Sequence, residues 1–204
     1  MQNKIINELI SRYAKLSVCE NDIVEVFCSL QKCFEQGNRL YVFGNGGSAA
    51  DSLHIVGELV KSFTIKRSVE NNFSNRVSQE LSANLHGALP AFAIVENIAL
   101  ATAFSNDCNP EYTFAQQIYA YVREGDCVLG ISTSGNSKNI INAIETAKGR
   151  GAVTIGLTGE NGGKLKELCD VCICVPETET YKIQELHLPV YHCLCMMLEE
   201  HFFK

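Results

Sequence analysis

Hydrophobic positions recur along this chain with two periods, and the switches between them lay out its elements. Ile5, Ile6, Leu9, Ile10 and Tyr13 recur at helical spacing, and so do Ile23, Val24, Phe27, Leu30 and Phe34 up to Gly37. Two amphipathic helices therefore open the chain. The short apolar run Arg39–Phe43 then enters Gly44-Asn-Gly-Gly-Ser48, which predicts a strand, a glycine loop and a helix from Ala49 to about Phe63. Residues 64–85 are polar and hold neither period, so they predict a loop with at most a short helix near Val77 to Ala83. Further strands are predicted at Leu89–Phe92, Asp126–Ile131, Val153–Leu157 and Cys169–Val175. The predicted helices between and after them are Ile94–Phe104, Tyr112–Val122, one running from the Ser132–Ser137 loop to about Gly151, a short one after Gly163, and Thr180–Phe203.

Strands alternating with helices predict an α/β fold around a mostly parallel sheet with right-handed crossovers. Such a sheet binds ligands at the carboxyl ends of its strands. No linker, repeat or low-complexity tract divides the sequence, so one domain is expected over 1–204, with a helical arm at 1–37 and an α/β core at 38–204. A two-helix arm cannot bury both of its faces alone, which points to a partner subunit.

Composition narrows the function classes. The chain has 204 residues, 46% of them hydrophobic, and a net charge of −6. That excludes a disordered acidic chain and argues against nucleic acid or an anionic membrane as the partner. No apolar run reaches the ~18 residues of a membrane span. The start, MQNKIINELISRYAKLSVCE, lacks the apolar block of a signal peptide, so a cytoplasmic setting is expected.

Ten cysteines stand out: Cys19, Cys28, Cys33, Cys108, Cys127, Cys169, Cys172, Cys174, Cys193 and Cys195. In a reducing compartment they stay free. Cys169, Cys172 and Cys174, with Cys193 and Cys195 further on, carry a C-x-x-C element that suits zinc. However, Val171, Ile173 and Val175 alternate with the strand cysteines, which favours thiols as small core hydrophobes.

Two loops offer anion-binding chemistry. Ser132-Thr-Ser-Gly-Asn-Ser137 places four hydroxyls within six residues between a strand and a helix start. Free backbone N–H groups and the helix dipole favour phosphate there. A helix cap alone needs one such residue. Gly44-Asn-Gly-Gly-Ser-Ala49 fits G-x-G-x-x-A, but no acidic strand end follows at dinucleotide spacing. Gly162-Gly-Lys-Leu165 is no P-loop, because Leu165 stands where the magnesium-binding hydroxyl belongs. His54 and Glu58 share a helix face at i, i+4, and the last helix carries Gln184, Glu185, His187 and His192 amid apolar residues. Imidazole and carboxylate suit both zinc and proton transfer at neutral pH.

Together, YVFGNGGSAADSLHIVGEL, ATAFSND, GDCVLGISTSGNSKNIINAIETAKGRG, TIGLTGENGGKL and KIQELHLPVYH resemble the phosphoheptose isomerase family of the sugar isomerase (SIS) domain proteins. The resemblance implies a five-stranded parallel sheet flanked by helices in a flavodoxin-like three-layer arrangement. It implies a homotetramer with active sites between subunits, and isomerisation of the phosphorylated seven-carbon sugar sedoheptulose 7-phosphate to D-glycero-D-manno-heptose 7-phosphate. It places one zinc ion per subunit on His54, Glu58, Gln184 and His192. Asn45, Gly46, Gly47, Ser48, Asn106 and Asp107 correspond to sugar contacts, and Ser132, Thr133, Ser134 and Ser137 to the phosphate loop. Glu58 is then the expected base and His192 the partner acid/base. The alternative is a sugar-phosphate sensor or scaffold without turnover.

Three departures from the family pattern stand out. Ser62 replaces a frequent Arg, leaving Lys61, Lys66, Arg67 or Arg76 as substitutes. The 64–89 segment is long. Pro189 falls within the last helix, removes its hydrogen bond to the Glu185 carbonyl and predicts a kink there. On a straight helix Gln184 and His192 would point ~80° apart.

Overall fold

The computed structural model describes residues 2–204; Met1 of the expected arm lies outside the described residues. In chain order the helices are α1 (Gln2–Arg12), α2 (Glu20–Glu35), α3 (Gly47–Val60), α4 (Asn71–Ser74), α5 (Gln79–Asn84), α6 (Ile98–Asp107), α7 (Thr113–Tyr121), α8 (Lys138–Gly149), α9 (Gly163–Leu168) and α10 (Thr180–Phe203). The strands are β1 (Leu40–Gly44), β2 (Ala91–Ala93), β3 (Cys127–Ile131), β4 (Val153–Gly159) and β5 (Val171–Val175). All neighbours pair in parallel in the order β2-β1-β3-β4-β5.

The sheet is the middle of three layers, and strand alternation decides which side chain faces which layer. Leu40, Val42, Leu129, Ile131, Ile155 and Leu157 turn to one core shared with α1, α2, α3 and α10. Tyr41, Phe43 and Val128 turn to a second core filled by α7, α8 and α9. Each fully buried aliphatic side chain contributes roughly 1.5–3 kcal/mol. The arm is therefore packed on its own subunit through Ile6, Leu9, Ile23, Val26, Phe27 and Leu30.

The chain leaves β1 for one edge of the sheet and returns to place β3 on the other side of β1. The two connections diverge here, with α3 on one face and α8 on the other. A ligand crevice opens at such a switch point, outside the carboxyl ends of the strands.

One expectation is revised. The helix predicted from Ile94 starts at Ile98, because Asn97 caps it by accepting the Leu100 N–H. Pro189 lies inside α10, within the helix as expected. The 64–89 segment carries α4 and α5, the second close to the predicted short helix.

Candidate active site

The first loop leaves β1 through Asn45 and Gly46, and α3 begins at Gly47. Two turns on, His54 Nε2 stands 3.3 Å from Glu58 Oε1, as the i, i+4 spacing requires. From α10, His192 Nε2 reaches to 3.4 Å from His54 Nε2. Glu58 Oε2 also accepts from Lys61 Nζ at 2.9 Å. His54, Glu58 and His192 thus converge where α3 and α10 lie side by side.

Tyr191 fixes His54 from behind. Its hydroxyl donates to Asp51 Oδ1 at 3.3 Å and lies 3.0 Å from His54 Nδ1. A hydroxyl that has given its proton to a carboxylate accepts from the ring, so the partners assign a proton to Nδ1 of His54. Its Nε2 faces Glu58 and His192. Burial, and secondarily the nearby His54, pushes the His192 imidazole below its ordinary value.

Those donors suit a zinc-class ion. Tetrahedral ligands at about 2.0–2.1 Å from zinc stand about 3.3 Å apart, close to the spacing of the two pairs here. A neutral imidazole whose other nitrogen is hydrogen-bonded is the usual ligand form. As placed, no group of three or more His, Cys, Asp or Glu among the described residues is closed around a common point. The Gln184 amide lies over the start of α3, where a Cβ on Gly47 would stand 2.6 Å from its Nε2. Gly47 is the residue that leaves room for it.

The second loop leaves β3. Ser132 and Ser137 hydroxyls meet at 3.0 Å, and Gly135 turns the chain at φ +64°. Ser137 heads α8 without capping it by its side chain, so the first N–H groups of α8 stay available to an anion. The Gly162–Gly163 turn, rejected as a P-loop, buttresses this loop instead. The Leu165 N–H donates to the Gly135 carbonyl at 3.1 Å, and the Lys164 N–H to Asn136 Oδ1 at 3.1 Å.

Asn139 escaped the sequence reading. Its amide exchanges two hydrogen bonds with Asn45, at 2.8 and 2.9 Å, tying the two loops together. The only signal was its place in the first turn after Ser137. Asn106 and Asp107, at the end of α6, are exposed and bond to each other at 2.9 Å. Arg67 does not fill the place of the missing Arg: it is buried, while Lys66 and Arg76 are exposed and Lys61 pairs with Glu58.

A cavity of about 390 Å³ between α1 and α10 includes His192 in its wall, with Glu8 and Arg12 opposite. A larger one, about 520 Å³, is lined by Arg39, Tyr41, Phe92 and Tyr121. Arg39 and Tyr41 lie at the amino end of β1, away from the carboxyl ends where this class of sheet binds ligands.

Comparison with known proteins decides between an enzyme and a fold alone. The SIS domain family model matches residues 97–197. A phosphoheptose isomerase of Aneurinibacillus thermoaerophilus is 40% identical over 182 residues, covering 89% of this chain and 82% of the relative. The chain belongs to the phosphoheptose isomerase family. Another member, from Crocosphaera subtropica, is 44% identical over 170 residues, 83% of this chain and 77% of its own. A solved phosphoheptose isomerase from Francisella tularensis superposes with a TM-score of 0.79 at 29% identity, covering 97% of this chain and 96% of that one. As a phosphoheptose isomerase the chain is an enzyme acting on a phosphorylated sugar.

Proposed function

We infer that the chain converts sedoheptulose 7-phosphate into D-glycero-D-manno-heptose 7-phosphate, an aldose–ketose isomerisation through an enediol that feeds bacterial heptose precursor synthesis. The observation that carries the mechanism is the meeting of Glu58 and His192 around His54 beside the glycine loop. The phosphate lies on Ser132, Thr133, Ser134 and Ser137 at the start of α8. Asn45 to Ser48 hold the sugar oxygens, with Gln184 over Gly47 and with Asn106 and Asp107 as further contacts. Glu58 takes a C1 proton from the ketose and returns a proton at C2. His192 moves the hydroxyl proton between O1 and O2, which suits a neutral imidazole.

One zinc ion per subunit would be held by His54, Glu58, Gln184 and His192. When bound it polarises the carbonyl and hydroxyl oxygens of the substrate. Tyr191 and Asp51 keep His54 in the tautomer that presents Nε2.

The enzyme works in the cytoplasm as a homotetramer with its sites between subunits. Among the described residues no helix is long and apolar enough to cross a membrane. Support for assembly comes from α6, which carries Ile98, Leu100 and Phe104 with no buried residue. An apolar helix left uncovered on one chain is what a partner subunit covers.

The test is incubation of the purified protein with sedoheptulose 7-phosphate and with shorter ketose phosphates, with added zinc or chelator. The heptose aldose is expected, at a rate that chelator lowers. Tight binding of the sugar phosphate without any aldose product would replace this reading with a sensor.

A further inference from the structure

The thiols divide by burial in a way the core-filler reading does not cover. Cys19, Cys33, Cys127, Cys193 and Cys195 are buried, and Cys28 and Cys108 are exposed. Cys169, Cys172 and Cys174 are neither, and they lie together. They belong to β5, the edge strand of the sheet, and to the turn before it. Val171, Ile173 and Val175 fill the inner face, so Cys172 and Cys174 share the other face, both half-buried.

Their sulfurs stand 3.9 Å apart. Beside them, Cys172 pairs in register with Gly156 of β4. A Cβ on Gly156 would meet Cys172 Sγ at 2.7 Å and Cys169 Sγ at 3.3 Å. The missing side chain leaves a hollow into which both sulfurs turn. Three thiols of one C-x-x-C-x-C segment thus line a strip of the sheet surface, and none of them takes part in the isomerase set.

We propose that Cys172 and Cys174 form a binding site for a soft monovalent cation of the copper(I) class, with Cys169 beside it over Gly156. Thiolates select such ions over the hard cations that oxygen ligands hold. A low-coordinate soft ion needs only two sulfurs, which accords with the absence of any closed group of three donors among the described residues. Ion binding displaces the thiol protons.

The experiment uses the full-length protein, reduced and free of oxygen, titrated with copper(I) against a chromogenic copper(I) chelator. One equivalent is expected to bind to the wild type. Affinity should fall at least tenfold in Cys172→Ser and in Cys174→Ser, and stay unchanged in the double variant Cys28→Ser/Cys108→Ser. A measurement on the unmutated protein guards against misfolding: alkylation at pH 7, mapped by peptide mass spectrometry, should label Cys172 and Cys174, and copper(I) should protect both. Equal affinity in Cys174→Ser, or alkylation of Cys172 and Cys174 that copper(I) does not slow, would overturn the site.

Discussion

Arg67 Nε donates to Glu199 Oε1 at 2.7 Å, and neither side chain is exposed to solvent. The pair closes the end of α3. Arg67 Nη1 and Nη2 donate to the Leu59 and Glu58 carbonyls at 2.8 Å, two of the acceptors a helix leaves unpaired at its C-terminus. Glu199 accepts in turn from the backbone N–H groups of Phe63, Thr64 and Ile65 and from the Thr64 hydroxyl. Removing one partner leaves a buried charge alone, at about 3–5 kcal/mol. Arg67→Met and Glu199→Gln should each lose stability on that scale in urea unfolding. The double variant Arg67→Met/Glu199→Met should recover only the unpaired-charge part of it, because the Glu58 and Leu59 carbonyls and the Phe63, Thr64 and Ile65 N–H groups lose their partners.

Gly135 is the hinge of the phosphate loop. Its φ is +64°, and a Cβ there would stand 1.9 Å from the Gly162 carbonyl oxygen. Gly135→Ala must push the two loops apart. Steady-state kinetics should show at least a tenfold rise in KM for the sugar phosphate, along with weaker inhibition by inorganic phosphate.

The Asn45–Asn139 amide pair couples the two loops through two hydrogen bonds. Asn45→Ala and Asn139→Ala should each lower kcat/KM, and the double variant should cost less than the two losses combined, with a coupling of about 1 kcal/mol. Full additivity would mean that the loops act independently.

His187 is completely buried, beside the Thr158 backbone. Burial lowers its pKa from 6.5 to about 4. The unfolded chain then takes up a proton at a pH where the folded one does not. Stability contributed by the neutral ring is whole above about pH 6.5 and declines as pH falls towards 4, by up to about 3 kcal/mol. His187→Met should flatten that part of the stability profile, measured by denaturant unfolding between pH 7 and 4.

Much of this arrangement was legible because the relevant signals are local. Apolar runs such as Arg39–Phe43 and Cys127–Ile131 gave the strands, and the i, i+4 spacing of His54 and Glu58 put both on one face of α3. What escaped depends on contacts between distant segments. Arg67 looked like a spare cation, yet its partner Glu199 is 132 residues away on α10. Asn139 gained its role from a residue 94 positions earlier. Alternation on β5 was read as burial of every cysteine, whereas one face of this edge strand is only half covered.

The central claim is that Glu58 performs the carbon proton transfer while the serine loop holds the phosphate. The most direct measurement is the turnover of sedoheptulose 7-phosphate by Glu58→Gln, taken with the variant's affinity for the same sugar phosphate. A general base is worth about 10²–10⁴ in rate, so turnover should fall at least a hundredfold while affinity stays within about threefold. Turnover near that of the wild type would contradict the account.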